Sequence, residues 1–304
     1  MAYKNKDGLI EYLTKQQYLH KGNAYLFHYT NLDAMVKILE TKSLWATNCE
    51  YLNDMFDVKH IISIFNDMAK KPESFKVIIE ELKMMTNDNI YAKFLKKTFI
   101  ISFTEERDSV AMWKNYSRSG IIMVFNNSPS NKENKKETIK FFDKENKPKY
   151  LRAAKLLGKI IYDPELMSDY ILNLIGKITK NIEEKRKTGQ TNNSTANEIN
   201  NITKLLQLCL LYKNKSYSFE NEIRMAFTII DDNDIGNIEK YRIKSNLLIP
   251  YLDISFEENG KLPLKGVIIN PEQKDYMYTE SIRRLLNSYN YDIPIIKSKN
   301  RIRY

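Results

Sequence analysis

The segment Phe27-His28-Tyr29-Thr30 constrains the fold more than any other part of this 304-residue chain. The residues from Ala24 to His28 predict a strand, and those from Leu44 to Thr47 predict a second, short strand. An amphipathic helix is predicted between them, because apolar residues recur at the spacing i, i+3, i+4 and i+7. These residues are Leu32, Met35, Val36 and Leu39. The order strand, helix, strand places His28 where a sheet gives way to a helix.

The start of this helix is a candidate ligand site. We expect Thr30 to begin the helix, with Asp33 three residues later in a capping-box-like pattern. The first N–H groups of a helix have no partner within it, and the helix dipole is positive at that end. A phosphate or a ribose is therefore favoured near His28. A lone histidine of this kind is usually structural, so the hypothesis requires partners elsewhere in the chain.

The remaining pattern predicts an α+β fold. Further strands are predicted over 98–104, 121–125, 137–142, 156–162, 222–230, 241–243, 264–270 and 294–296. Further helices are predicted over 8–20, 54–70, 73–97, 112–116 and 278–286. A helical hairpin over about 163–213, with a polar tip, is interpreted as an insertion into the main body. We therefore expect residues 1–304 to form one domain with a mixed sheet core.

The net charge of +10 permits a polyanionic partner without identifying one. Most of the positive charge is lysine, spread through predicted helices and loops beside an unusual amount of asparagine. Such a composition also arises from genome composition alone, and no arginine-rich stripe of a known RNA-binding module is present. Two interpretations stay open: attraction to nucleic acid or another polyanion, and no role for the charge.

The sequence predicts a cytoplasmic protein without a metal site. It contains no run of about 18 apolar residues, and its N-terminus lacks the apolar core of a secretion signal. Cys49 and Cys209 are far apart and match no metal or redox spacing. The acidic turn of Glu105, Glu106 and Asp108 has no histidine cluster to support it, so we interpret it as a solvated turn.

The segment from Ser218 to Phe227 supplies candidate partners for His28. Alternation with period two predicts that one face points to a core and carries Ile223, Met225 and Phe227. The opposite face of the same strand then carries Glu220, Glu222 and Arg224. One interpretation is a solvated face; the other is a polar cleft in which Arg224 orients one carboxylate and the other does chemistry. Two carboxylates held close together tend to raise one pKa, which would suit a general base.

Several short motifs carry a resemblance to known families. The chain resembles a bacterial family of uncharacterised proteins through His28-Tyr29-Thr30, Tyr51-Leu52-Asn53-Asp54, Ser102-Phe103, Ser109-Val110-Ala111-Met112-Trp113, Phe219-x-x-Glu222-x-Arg224 and a closing Ile-x-x-Ser298. The histidine motif and Glu220-x-Glu222 also resemble the ADP-ribosyltransferase superfamily. This second resemblance implies an ADP-ribosyltransferase-like mixed sheet core, with NAD as the substrate. Tyr51 is the candidate for the tyrosine that stacks on nicotinamide in that superfamily.

The same resemblance implies roles for individual residues. The residues expected to bind NAD are His28, Tyr29, Thr30, Trp45, Thr47 and Arg224. His28 would hydrogen-bond the adenosine-side ribose, and Arg224 would hold Glu222 or contact a phosphate. Glu222 would stabilise the ribosyl cation, and Glu220 would position the acceptor. Cleavage of the nicotinamide–ribose bond leaves a positively charged sugar, so a nearby carboxylate lowers the barrier electrostatically.

We therefore expect an NAD-dependent ADP-ribosyltransferase-like enzyme that modifies a protein or a nucleic acid, as a toxin or an anti-phage defence effector. One alternative is a non-catalytic protein that binds nucleic acid or a partner through a basic surface. A further alternative is an NAD glycohydrolase, in which water replaces the acceptor. Neither the acceptor nor the oligomeric state follows from the sequence.

Overall fold

The structure is a computed structural model. It describes residues 25–52, 88–117, 120–126, 138–172, 176, 180, 210–230, 235–257, 259–273 and 275–300. The strands are β1 (Tyr25–Thr30), β2 (Ser43–Asn48), β3 (Thr98–Thr104), β4 (Ile121–Asn126), β5 (Thr138–Phe142), β6 (Pro148–Lys159), β7 (Glu222–Ile229), β8 (Glu239–Lys244), β9 (Leu247–Ser255), β10 (Leu264–Ile269) and β11 (Ile295–Lys297). The helices are α1 (Leu32–Thr41), α2 (Asp88–Lys96), α3 (Val110–Tyr116), α4 (Ile235–Ile238) and α5 (Tyr276–Ser288). Two 3-10 helices span Cys49–Tyr51 and Lys215–Glu220, and residues 164–172 are also helical.

Six strands close into a barrel in the order β3, β2, β9, β5, β6, β7 and back to β3. The closing contact is a continuous antiparallel register between β3 and β7, from Thr98↔Thr228 to Thr104↔Glu222. Four more strands, β1, β4, β10 and β11, extend the sheet away from β3, and β8 pairs with β9. The described part of the chain is thus mixed α/β and built mostly of strands, in agreement with the predicted α+β class at that level.

The sheet forks along one edge of β3. Because β7 pairs with the whole length of one edge, β1 and β2 share the other. β2 pairs with the beginning of β3, at Ile100 and Phe99, whereas β1 pairs at Thr104 near its end. β1 and β2 therefore diverge, and the middle of β3 lies open between them.

The core confirms the predicted alternation in β7. Ile223, Met225 and Phe227 are at most 5% exposed and belong to the main apolar cluster of the barrel. From α1, Met35 and Leu39 enter the same cluster, as the helical spacing predicted. Because neighbouring side chains on a strand point in opposite directions, the polar residues of β7 lie on the face opposite this apolar one.

Three predictions about the elements need comment. Thr30 does not begin the helix: it ends β1, and the cap is Asn31, whose Oδ1 accepts from the Ala34 N–H at 2.8 Å. Strand β9 was not predicted at all. The predicted helices over 8–20 and 54–70, most of that over 73–97 and most of the hairpin over 163–213 lie outside the described residues. The described part of the hairpin begins with the helix over 164–172. Within the parts of the chain that are described, no helix is long and apolar enough to cross a bilayer.

Gly120 lies against the end of β1. A Cβ atom added there would be 2.0 Å from the Thr30 carbonyl oxygen, whereas one added to Gly236 would meet nothing within 4 Å. We expect Gly120→Ala to lower the free energy of unfolding by about 1–3 kcal/mol, because backbone must shift. Gly236→Ala is the matched control and should not lower the free energy of unfolding. Urea unfolding measures both, and an unchanged midpoint for Gly120→Ala would contradict this packing.

Candidate active site

A pocket of about 430 Å³ opens at the fork between β1 and β2, with β3 as its floor. This volume lies within the range of small-molecule sites. The pocket is lined by every residue that the sequence analysis put forward, namely Glu220, Glu222, His28, Tyr29, Thr30, Trp45, Thr47 and Arg224. The fold thus gathers residues from β1, β2 and the region around the start of β7 into one candidate active site.

Glu222 is tightly held at one end of the pocket, where it is 4% exposed. Its Oε1 accepts hydrogen bonds from Ser102 Oγ at 2.6 Å and from Arg224 Nε at 2.9 Å. Its Oε2 accepts from Arg224 Nη2 at 3.2 Å and from Lys213 Nζ at 3.3 Å. Arg224 therefore grips the carboxylate through two parallel bonds. Arg224 was expected either to hold Glu222 or to contact a phosphate, and these contacts correspond to the first role.

Glu222 is ionised at neutral pH. Burial by itself would raise the pKa of Glu222, but the charges of Arg224 and Lys213, with hydrogen bonds from Arg224 and Ser102, outweigh burial and lower the pKa to about 2. The expectation that paired carboxylates raise a pKa is wrong for Glu222, because its cationic neighbours dominate. A carboxylate of this kind is a weak base, and it suits electrostatic stabilisation of a cation better than proton abstraction.

Glu220 does not share a strand with Glu222, contrary to the prediction. It ends a 3-10 helix, and Asn221 then turns the chain at a φ of 41° before β7 begins. Asparagine is one of the few residues that adopt this left-handed conformation readily. Lys213 joins the two carboxylates across the turn, since its Nζ lies 2.7 Å from Glu220 Oε2 and 3.3 Å from Glu222 Oε2. Tyr116 Oη donates to Glu220 Oε1 at 2.5 Å.

Lys213 completes a buried network of two cations and two anions with Glu220, Glu222 and Arg224. It is 5% exposed, and its ammonium also lies 4.6 Å from the centre of the Tyr217 ring. Burial alone would lower the pKa of Lys213, but the carboxylates of Glu222 and Glu220 outweigh burial and raise the pKa. Lys213 therefore stays charged beside the carboxylates that it joins.

His28 presents one ring nitrogen to the pocket. Its Nδ1 lies 3.2 Å from the Ser102 carbonyl oxygen, which only accepts, so Nδ1 carries the hydrogen. Burial, helped by the charge of Arg242, outweighs this hydrogen bond and lowers the pKa of His28. The ring is therefore neutral at pH 7, and Nε2 has a lone pair. No described residue hydrogen-bonds Nε2, which leaves it as an acceptor for a ligand hydroxyl.

Ser102 connects the two halves of the site. Its carbonyl oxygen accepts from His28, and its hydroxyl donates to Glu222. Both contacts come from the middle of β3, the stretch that the fork leaves open. Ser102 is itself exposed within the pocket. A single residue thus hydrogen-bonds both an imidazole and a carboxylate that line the same pocket.

The other end of the pocket is aromatic and basic. Trp45 packs on Tyr251 with ring centres 4.6 Å apart, and Lys37 Nζ lies 5.3 Å from the Trp45 ring. Arg242 Nη2 donates to Thr47 Oγ1 at 2.7 Å, and its guanidinium lies 5.5 Å from the Trp45 ring. Trp45 and Thr47 therefore hold Arg242 in place.

Tyr29, Thr30 and Tyr51 occupy the pocket wall in different ways. The Tyr29 hydroxyl donates to the Glu106 carbonyl at 3.0 Å and accepts from the Ser109 N–H at 2.9 Å, so its hydrogen bonds support the fold. Thr30 contributes a carbonyl that accepts from Ser117 Oγ at 2.6 Å. Tyr51 is 37% exposed at the rim, in a position open to a ligand.

The carboxylates of the acidic turn are half-buried and hydrogen-bonded or ion-paired, so the turn is only partly solvated, in contrast to the interpretation from sequence. Glu105 Oε2 pairs with Lys159 Nζ at 2.6 Å, and Asp108 Oδ1 accepts from Trp113 Nε1 and Ser298 Oγ, each at 2.7 Å. Asp108 therefore ties the segment after β11 to α3. Among the described residues, no group of three or more His, Cys, Asp or Glu side chains could hold a metal ion.

Sequence reasoning missed four polar residues of the site, namely Ser102 as a link, Tyr116, Lys213 and Arg242. Ser102 lies in one of the motifs of the resemblance, but no pattern revealed its contacts, and Tyr116 and Lys213 lie in segments that gave no sign of function. Arg242 lies on the strand predicted over 241–243, and Lys244 follows at the spacing that places two residues on one face of a strand. That this face borders the pocket follows only from the pairing of β8 with β9.

Comparison with known proteins covers only part of this site. A family model described as "Protein of unknown function (DUF2971)" matches residues 112–225. This stretch runs from α3 to β7 and includes Glu220 and Glu222 but not His28. No curated protein and no solved structure matches the chain. The comparisons therefore show that residues 112–225 are similar to a family of unknown function, and they name no activity for it.

Proposed function

We propose that this chain is an NAD-using enzyme that cleaves the nicotinamide–ribose bond and transfers ADP-ribose to a protein or nucleic-acid acceptor. One observation supports the proposal above all: Ser102 links the neutral imidazole of His28 to the ionised carboxylate of Glu222 within one pocket. The resemblance to ADP-ribosyltransferases assigns the same two residues to NAD. A toxin or an anti-phage defence effector is the biological setting that we propose with it.

The chemistry uses the negative charge of Glu222. Nicotinamide leaves as a neutral molecule with the electron pair of the broken bond, and the ribose carbon becomes cationic. Glu222 stabilises that cation, and a nucleophile of the acceptor then bonds to the carbon and loses its proton. All four acceptor positions of Glu222 are occupied, so a ribose hydroxyl reaches the carboxylate by replacing a contact. The bond to Lys213 is the longest of the four, at 3.3 Å, and is the one we expect to yield.

Product analysis tests the proposal. The wild-type chain is incubated with NAD labelled in its adenine, with candidate protein and nucleic-acid acceptors. The proposal predicts free nicotinamide together with label on a macromolecule. Label recovered only as free ADP-ribose supports the glycohydrolase alternative. No nicotinamide under any acceptor condition would overturn the proposal and favour a non-catalytic binding protein.

His28→Asn separates ligand binding from structure. The shorter asparagine amide can still donate to the Ser102 carbonyl oxygen, but it removes the acceptor Nε2. Loss of one hydrogen bond costs about 1–1.5 kcal/mol, so we expect NAD to bind about tenfold more weakly, with little change in thermal stability. Calorimetric titration of NAD measures the affinity, and His28→Gln is the control that reaches toward the position of Nε2. Equal NAD affinity in all three proteins would exclude a contact at Nε2.

A further inference from the structure

Arg242 is a cation in the pocket for which the described residues provide no counter-ion. It is half-buried, and no carboxylate in that part of the chain lies within ion-pair distance. Among the described residues, its one hydrogen bond runs from Nη2 to Thr47 Oγ1 and uses a single N–H. A guanidinium has five N–H donors. Most of its hydrogen-bonding capacity is therefore left for a ligand.

The guanidinium is held in a fixed orientation before any ligand arrives. Its Cζ lies 5.5 Å from the centre of the Trp45 ring and 5.9 Å from that of the Tyr251 ring. These two rings pack on each other, and the hydroxyl of Thr47 holds one edge of the guanidinium. An arginine fixed in this way loses little conformational freedom when it binds an anion, and its planar fork matches phosphate oxygens.

Further positive charge lies near Arg242. Lys244 lies two residues after Arg242 on β8, and both line the pocket. Residues two apart on a strand point to the same face, about 6.5 Å apart along the chain. Lys37 approaches the Trp45 ring from helix α1, although it does not itself line the pocket. Arg242 and Lys244 contrast with the paired cations and carboxylates around Glu222.

The start of α1 is less suited to hold an anion than the sequence suggested. The Ala34 N–H is taken by the Asn31 side chain, and the Met35 N–H by the Asn31 carbonyl oxygen. Asp33 adds a negative charge in the first turn. The phosphate expected beside His28 is therefore better accommodated at Arg242, whose charge also contributes to lowering the pKa of His28, after the larger effect of burial.

We infer that the basic end of the pocket is a diphosphate subsite, in which the guanidinium of Arg242 binds the phosphate oxygens of a nucleotide and Lys244, two residues along β8, adds positive charge nearby. Trp45 and Thr47 act there as positioning residues for Arg242. The inference rests on the proposed function only for the identity of the ligand as NAD. The subsite itself would bind any nucleotide with a diphosphate, such as ADP or ADP-ribose.

Calorimetric titration of the full chain with inorganic diphosphate, ADP, ADP-ribose and adenosine tests this inference. We expect the three diphosphates to bind, ADP at least tenfold more tightly than adenosine, with affinities that fall as salt rises. Arg242→Gln should weaken the binding of ADP and ADP-ribose about tenfold or more, and Arg242→Lys should weaken their binding less. Arg284→Gln is the matched control, because its side chain lies 80% exposed on α5. It should leave every affinity unchanged.

The outcomes separate this inference from the proposed function. If diphosphate binding depends on Arg242 but the chain never releases nicotinamide from NAD, the subsite is supported and the proposed enzymatic activity is wrong. If the chain releases nicotinamide and the KM for NAD is the same in the wild type and in Arg242→Gln, the subsite is wrong and the proposed activity stands. Equal affinity for ADP and adenosine in the wild-type chain, or equal affinity for ADP in wild type and a folded Arg242→Gln variant, also overturns the subsite.

Discussion

Glu222→Gln is expected to reduce nicotinamide release from NAD by at least about 10²–10³-fold, the range typical for loss of one preorganised electrostatic group. Glutamine has nearly the same shape as glutamate but no charge, so the cationic ribose loses its stabilising neighbour. The kcat for nicotinamide release measures the effect. ADP-ribose affinity should change little by comparison, because the diphosphate subsite that we propose is at Arg242, away from Glu222.

The matched control for this variant is Glu257→Gln, which removes the same charge from a residue paired with Lys140 outside the pocket. It should release nicotinamide at the wild-type rate. The Glu222→Gln variant also leaves Arg224 and Lys213 with one carboxylate fewer, so its folded fraction must be measured alongside. If a folded Glu222→Gln variant has the wild-type kcat, Glu222 does not take part in the chemical step.

Arg224→Met is expected to be the most destabilising single substitution at the site. Arg224 is 1% exposed and supplies two of the four hydrogen bonds to Glu222, and its Nη1 also donates to the Leu210 carbonyl at 3.0 Å. Removal of one partner from a buried ion pair typically costs about 3–5 kcal/mol, because the other charge stays buried. We therefore expect Arg224→Met to lower the free energy of unfolding, measured in urea at pH 7, by that amount. Arg284→Met, on the exposed face of α5, should cost less than about 1 kcal/mol.

The pH dependence of this effect follows from the lowered pKa of Glu222. The pKa is about 2 in the folded chain, against a normal value of 4.5. Because the folded-state pKa is depressed, Glu222 contributes its full stability above pH 4.5 and loses it as the pH falls toward 2. The contribution is on the order of 3 kcal/mol. The stability difference between wild type and Arg224→Met should therefore shrink between pH 5 and pH 2. A difference that stays constant over this range would contradict the ion pair.

Local patterns predicted most strands of this chain but not the closure of the barrel. β3 was predicted with its observed bounds, because Thr98–Thr104 is a continuous β-prone run. Its pairing with β7 joins residues more than a hundred positions apart, and no local pattern carries that information. β9 was missed because Pro250 interrupts the apolar run, and proline argues against a central strand. In the structure, Pro250 lies opposite Tyr241 of β8, one residue beyond the end of the β2 register.

The candidate site was predictable where the sequence carries a motif. His28 and Glu222 were paired through a resemblance, and the fold places both in one pocket. Lys213 could not be found in this way, since a lysine after a predicted helix is usually exposed and only the fold reveals that this one is buried. The direction of the Glu222 pKa was also out of reach, because it depends on which cations lie within hydrogen-bonding distance.

A crystal structure of the wild-type chain with an NAD analogue whose nicotinamide–ribose bond resists cleavage tests the central claim most directly. The account predicts the analogue in the fork between β1 and β2, with a ribose hydroxyl at His28 Nε2, the nicotinamide ribose against Glu222 and the diphosphate beside Arg242. An empty fork at saturating analogue, or an analogue bound away from both His28 and Glu222, would contradict it.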